Sequence, residues 1–125
     1  MTSARTGDAL RDLASSTLDF YARFDYLPDP QSTITNFNEE VYELVEAALE
    51  GDKPHAAEEC ADVIVTALGV CFAQGLTVDE IIAAVYQVAD KNDAKTHETH
   101  HLKDGKIRRK ARKDGPESKP ATEDT

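Results

Sequence analysis

The chain has 125 residues and carries 24 acidic side chains against 14 basic ones, a net charge of −10. That length allows one modest domain, and a hydrophobic content of 40% allows a buried core and excludes a wholly disordered chain. The longest uncharged stretch, Val63 to Thr77, is broken by Thr66, Gly69, Gln74 and Gly75 and falls short of the about 20 apolar residues of a membrane span, while residues 1–8 show no apolar segment of a secretory signal.

Four helices and no strand are predicted. The first runs from about Asp8 to Phe24, where Leu10, Leu13, Leu18, Tyr21 and Phe24 recur on one broad face. Asp25 to Thr35 reads as a loop stiffened by Pro28 and Pro30. Asn36 and Glu39 resemble a capping box for a second helix over Phe37 to Glu50, with Gly51 as its stop. Pro54 suits the first turn of a third helix that continues to Gln74 and Gly75. Thr77 and Glu80 form another capping box, opening a fourth helix that reaches about Lys95. From Cys60 to Ala73 only Asp62 is charged, so the third helix is expected to be buried among its neighbours. The pattern implies an all-α fold, an antiparallel four-helix bundle completed by dimerisation. Residues 1–96 form the helical domain and residues 97–125 a basic tail, of which residues 114–125 read as disordered. Cys60 and Cys71, eleven positions apart on one helix, cannot reach each other, and a reducing, cytoplasmic compartment is the simplest expectation.

The charges are unevenly placed. Residues 1–90 hold 17 acids and 4 bases, net −13, whereas residues 91–125 hold 10 bases and 7 acids, net +3. Such an acidic body repels phosphate, which argues against primary nucleic-acid binding, and it attracts cations. On the second helix Glu40 and Glu43 are neighbours on one flank, Glu40 at the border of the apolar arc, while Glu39, Glu46 and Glu50 lie on the far side that faces water. On the third helix Glu59, Asp62 and Thr66 form a stripe that continues through Gly69 and Ala73. A carboxylate amid apolar neighbours needs a partner. A divalent cation held by Glu40, Glu43, Glu59 and Asp62 would supply one, and hard oxygen ligands suit Mg²⁺ or Mn²⁺. The apolar arc of the fourth helix ends in Asn92 and Lys95, which read either as a fraying last turn or as phosphate or base contacts. Phe20, Tyr21, Phe24, Phe37 and Tyr42 are expected in the core, and His97, His100 and His101 in a polar tail.

These residues resemble the all-α nucleoside triphosphate pyrophosphohydrolases, the MazG-like superfamily that also includes phosphoribosyl-ATP pyrophosphohydrolase. Its EExxE and ExxD motifs match Glu39-Glu40-Val41-Tyr42-Glu43 and Glu59-Cys60-Ala61-Asp62, with fifteen residues between them. A later Asn-x-x-Lys matches Asn92 and Lys95, and a DGK-containing tail is similar to Asp104-Gly105-Lys106. The resemblance implies Mg²⁺-dependent hydrolysis of a (d)NTP to the monophosphate and pyrophosphate by a homodimer or homotetramer. In that reading Glu40, Glu43, Glu59 and Asp62 ligate the metal, Glu39 activates water, Asn92 and Lys95 contact the nucleotide, and the basic stretch Lys103–Lys113 folds over the phosphates. Hydrolysis of phosphoribosyl-ATP is the alternative activity, and a non-catalytic helical interaction module the alternative class.

Overall fold

Asp8, Asp29 and Asp52 each sit in extended backbone and turn a carboxylate onto the amide three residues ahead, of Arg11, Ser32 and His55 respectively. Three helices begin at these caps, because each carboxylate satisfies an amide that has no partner within its own helix. The computed structural model describes residues 4–111. Its elements are α1 (Ala9–Arg23), α2 (Pro30–Glu50), α3 (Lys53–Ala73), α4 (Val78–Asp93), β1 (His100–Lys103) and β2 (Lys106–Arg109). The fourth start follows the expected capping box, with Thr77 N donating to Glu80 Oε1 at 2.8 Å and Glu80 N donating to Thr77 Oγ1 at 3.1 Å. The fold is all-α apart from the short β1–β2 pair. No single helix among the described residues is long and apolar enough to cross a membrane.

Two expectations are corrected here. Helix α2 starts at Pro30, so much of the expected loop is helical and the Asn36–Glu39 capping box does not exist. Asp29 caps instead, accepting from Ser32 N at 2.9 Å and Ser32 Oγ at 2.7 Å. Those bonds hold its carboxyl below the usual range, and Pro30 at the first position already has helical φ. The second correction is the β1–β2 hairpin within the supposed tail. It pairs antiparallel with Leu102 opposite Ile107. Asp104 and Gly105 between the strands have φ of 52° and 78°, the two left-handed residues of a type I′ turn. Residues 112–125, including the stretch expected to be disordered, lie outside the described residues.

The chain forms two compact units, with the boundary between Ala84 and Val85 inside α4. In the first, α2 and α3 fold back on each other through the left-handed Gly51, whose φ is 76°, and make the most extensive helix contact. Ala14, Leu68 and Ile81, from α1, α3 and the start of α4, form a buried cluster backed by Leu10, Leu13, Cys71, Phe72 and Val78. α3 is not enclosed on all sides, since Cys60, Ala61, Asp62 and Ile64 are exposed. Phe20, Phe24 and Tyr42 are exposed as well rather than in the core. The second unit holds the end of α4 and the hairpin.

The small-residue stripe of α3 has a steric purpose at Gly69. This glycine is buried, and a Cβ there would run into the Tyr21 hydroxyl and touch Thr33 Cγ2 at 3.8 Å. An exposed helical Gly→Ala substitution stabilises by about 1 kcal/mol. Gly69→Ala should instead destabilise by about 1–3 kcal/mol through overpacking, read as a lowered midpoint of denaturant unfolding. A raised midpoint would contradict the close approach of Tyr21.

Candidate metal centre

Consecutive helices bring the acidic motifs together. Glu40 and Glu43 lie three residues apart on α2, hence on neighbouring positions of one flank. Glu59 lies on the first half of α3, which the Gly51 turn folds back along α2. Carboxylate oxygens of Glu40, Glu43 and Glu59 all lie within 4.8 Å of one another. Glu40 is partly buried, and its carboxyl is raised above the ordinary range, first by that burial and then by the charges of Glu43, Asp62, Glu59 and Glu39. Among the described residues no lysine or arginine forms an ion pair with Glu40, Glu43, Glu59 or Asp62.

Asp62 differs from expectation. It is exposed and lies outside the 4.8 Å group, although its charge is close enough to act on Glu40. The inference of burial came from its apolar neighbours along α3. Some of those neighbours, Cys60, Ala61 and Ile64, are themselves exposed, so the helix composition did not report the surroundings of this one side chain.

Glu59 is the best-positioned member. Its side chain is 14% exposed and its Oε2 is 3.0 Å from His55 Nε2. Its Oε1 is buried with no hydrogen-bond partner. Leaving such an acceptor unsatisfied costs roughly 1–3 kcal/mol, more for a charged group. An orphaned carboxylate oxygen beside two further carboxylates fits a hard divalent cation, and the all-oxygen donor set suits Mg²⁺ or Mn²⁺ over softer metals. His55 was not foreseen as part of the site, although its spacing of four from Glu59 puts both on one helix face. It holds Glu59 from the side away from the free oxygen, the position of an orienting partner. The Glu59 hydrogen bond, aided by the charges of Glu59, Asp52 and Glu50, raises the His55 pKa above its ordinary value.

Two openings flank α2. Thr35, Asn38, Glu39, Tyr42, Glu43 and Glu46 line a groove of about 600 Å³. It brings Glu39 beside Glu43 and includes Glu46, which is exposed to solvent as expected. Phe20, Tyr21, Phe24, Tyr26 and Asn36 line a second, aromatic cavity of about 350 Å³, with the Tyr21 and Tyr26 rings edge to face at 4.9 Å. Asn92 and Lys95 belong to the second unit, where Lys95 Nζ donates to Asn92 Oδ1 at 3.1 Å.

The electrostatics set two signs. Glu40 has a raised pKa, so its charged form opposes folding and stability falls as pH rises through that value. In metal-free protein at pH 7, Glu40→Gln should therefore raise the melting temperature. His55 also has a raised pKa, and its contribution is present below the unfolded value and lost as pH rises through the folded one. Glu59→Gln should return His55 to the ordinary histidine range in an NMR titration of its ring protons. An unchanged His55 titration would show that Glu59 does not hold the ring.

The sequence profile of the phosphoribosyl-ATP pyrophosphohydrolase family matches residues 27–89, a span that contains α2, α3 and most of α4 with all four candidate ligands. Phosphoribosyl-ATP pyrophosphatase 1 of Rhodopseudomonas palustris is 36% identical over 58 residues, covering 46% of this chain and 54% of the relative. The chain thus spans about half the length of the curated relative it matches. No solved structure matches it significantly. With half of its length under the family profile and the acidic motifs converging on one cluster, the chain belongs to the phosphoribosyl-ATP pyrophosphohydrolase family, within the MazG-like all-α superfamily.

Proposed function

We propose that this chain is a pyrophosphohydrolase that cleaves the α–β phosphoric anhydride of a nucleotide, with a divalent cation, Mg²⁺ or Mn²⁺, held by Glu40, Glu43 and Glu59 and assisted by Asp62. The observation that carries this reading is Glu59, whose Oε1 is buried and unpartnered and whose carboxylate has an oxygen within 4.8 Å of oxygens of Glu40 and Glu43. When bound there, a divalent cation supplies charge neutralisation for the acidic cluster and for a polyphosphate, and polarises phosphoryl oxygen. The family profile supports phosphoribosyl-ATP as the first substrate to test. The EExxE and ExxD resemblance supports (d)NTPs as the second, which replaces the order expected from the motifs alone.

The chain's own residues have definable parts in this reaction. Water oxygen forms a bond to the α-phosphorus, and the bridging P–O bond breaks with its electron pair leaving on pyrophosphate. Glu39, at the rim of the groove that also holds Glu43, accepts the water proton and passes it to solvent. His55 keeps Glu59 in place through the bond to Oε2. Asn92 and Lys95 enter the proposal as nucleotide contacts. We place the enzyme in the cytoplasm. We also propose a homodimer, in which a second copy covers the exposed α2 stripe Tyr42, Val45 and Leu49, the last of them 84% exposed. The size of the complex in sedimentation checks this last point.

Incubation with Mg²⁺ and phosphoribosyl-ATP, and in parallel with a panel of dNTPs and NTPs, should release pyrophosphate and no inorganic phosphate. Glu43→Gln should lower kcat by about 10²-fold or more, since several kcal/mol of charge stabilisation are lost. A folded wild-type chain that turns over none of these substrates would overturn the reading and favour a non-catalytic interaction module.

A further inference from the structure

The C-terminal hairpin gathers positive charge on one of its faces. Its register places His101 opposite Arg108 and Lys103 opposite Lys106. Opposed residues share a face, and side chains alternate along each strand. One face therefore carries His101, Lys103, Lys106 and Arg108, and the other carries Leu102 and Ile107. The Lys110 amide donates to the Thr99 carbonyl at 2.8 Å, one step past the pair His100 and Arg109 in the same register, which continues the basic face to Lys110. Lys103, Lys106 and Lys110 are exposed and Arg108 is half-buried. Among the described residues none of these four bases forms an ion pair.

Charged side chains on short exposed strands keep those strands from pairing with other chains. Either sign on either face serves that purpose, and it does not call for bases collected on one face in a chain of net charge −10. Asp104, in the turn, is the single carboxylate from Thr99 to Lys110. Alternate residues of a strand stand about 6–7 Å apart and neighbouring strands about 4.8 Å, a regular lattice of cations that complements a regular lattice of phosphates. No Phe, Tyr or Trp follows Tyr86, so the hairpin lacks a platform on which unpaired bases stack. A two-stranded ribbon fits the major groove of B-form DNA, about 12 Å wide, but not the narrow groove of double-stranded RNA. An anionic membrane would draw on the apolar pair as well, yet Leu102 and Ile107 lie on the face opposite the bases, and one flat bilayer surface cannot meet both.

We propose that the basic face of β1–β2 is a docking surface for the phosphate backbone of double-stranded DNA, contacted by Lys103, Lys106, Arg108 and Lys110 without base specificity. The negative charge of residues 1–90 weakens such binding without cancelling it, because charges more than about 8 Å apart are largely screened at physiological ionic strength. The carboxylate cluster takes no part in this contact, which goes beyond the pyrophosphohydrolase reading and does not rest on it.

The test uses the full chain in EDTA, titrated into a fluorescently labelled mixed-sequence DNA duplex and followed by anisotropy between about 50 and 200 mM salt. Saturable binding is expected, with Kd of about 10⁻⁴–10⁻⁶ M and little dependence on sequence. The slope of log K against log salt should be steep, about −0.9 for each phosphate contacted. Lys103→Gln combined with Lys106→Gln should weaken binding by about tenfold and flatten the slope by about two. Lys53→Gln combined with Lys91→Gln, the same change in net charge away from the hairpin, should leave both unchanged. Histidine ring protons followed by NMR give a second reading, in which His101 moves on addition of duplex while His55, in the first unit, stays. Absence of saturable binding at the lower salt, equal weakening by the two double variants, or tighter binding to phosphatidylserine vesicles than to the duplex would overturn the proposal. So would a raised KM for nucleotide in the hairpin variant with duplex binding unmoved, which would assign these bases to the substrate. Loss of this DNA contact would leave turnover at the carboxylate cluster intact, and a failure of turnover would leave DNA binding intact.

Discussion

Like charges are packed together on two helices of one hairpin, and this is the constraint the rest of the structure has to accommodate. Two carboxylates some 4–5 Å apart repel by on the order of 3 kcal/mol at the effective dielectric found near protein surfaces. Glu40, Glu43 and Glu59 lie within that separation, with Asp62 close by. Stability alone would select against such an arrangement, because domains are held by only about 5–15 kcal/mol. A cation bound as proposed above would turn the same repulsion into a binding site, and the surrounding structure keeps the cluster together without one.

That support is mostly apolar and local. The α2–α3 hairpin is set by the Asp29 and Asp52 caps and the left-handed Gly51, which together fix where each helix starts and how they reverse. Gly69 lets Tyr21 and Thr33 approach α3 closely, tying α1 and α2 to the half of α3 beyond the carboxylates. His55 adds a polar brace to Glu59. The acids therefore sit on a frame whose own contacts do not depend on them. This explains why Glu40 can carry a raised pKa without the helices parting. Around this frame Phe20, Phe24, Tyr42, Val45 and Leu49 stay exposed, more apolar surface than four short helices can cover by themselves.

Much of this was legible in the residues. Helical periodicity, the Thr77–Glu80 capping box and the Gly51 stop gave the helices their places, and the acidic motifs gave Glu40, Glu43 and Glu59 of the cluster, with Asp62 outside it. What failed did so for physical reasons. Asp29-Pro30 reads as loop in sequence because proline is a turn former as well as a first-turn residue, and only the cap bonds from Ser32 distinguish the two. The hairpin was missed although Asp104-Gly105 is a strong two-residue turn signal, since strands as short and basic as His100–Lys103 and Lys106–Arg109 show no hydrophobic alternation. Asp62 was expected to be buried because helix composition reports average surroundings, whereas exposure depends on which flank a neighbour covers. His55 carries no signal of its own, because a histidine four residues from a glutamate is common on helix surfaces and only the contact with Glu59 Oε2 gives it a role.

The most direct test of the carboxylate cluster is a Mn²⁺ titration followed by electron paramagnetic resonance, in which the six-line spectrum of the free ion disappears as it is bound. Wild-type protein should take up Mn²⁺ saturably, Mg²⁺ should displace it, and Glu59→Gln should abolish the uptake while the helical circular dichroism stays unchanged. Mn²⁺ that stays free at millimolar protein, or a Glu59→Gln variant that binds as well as wild type, would contradict a cation site at Glu40, Glu43 and Glu59.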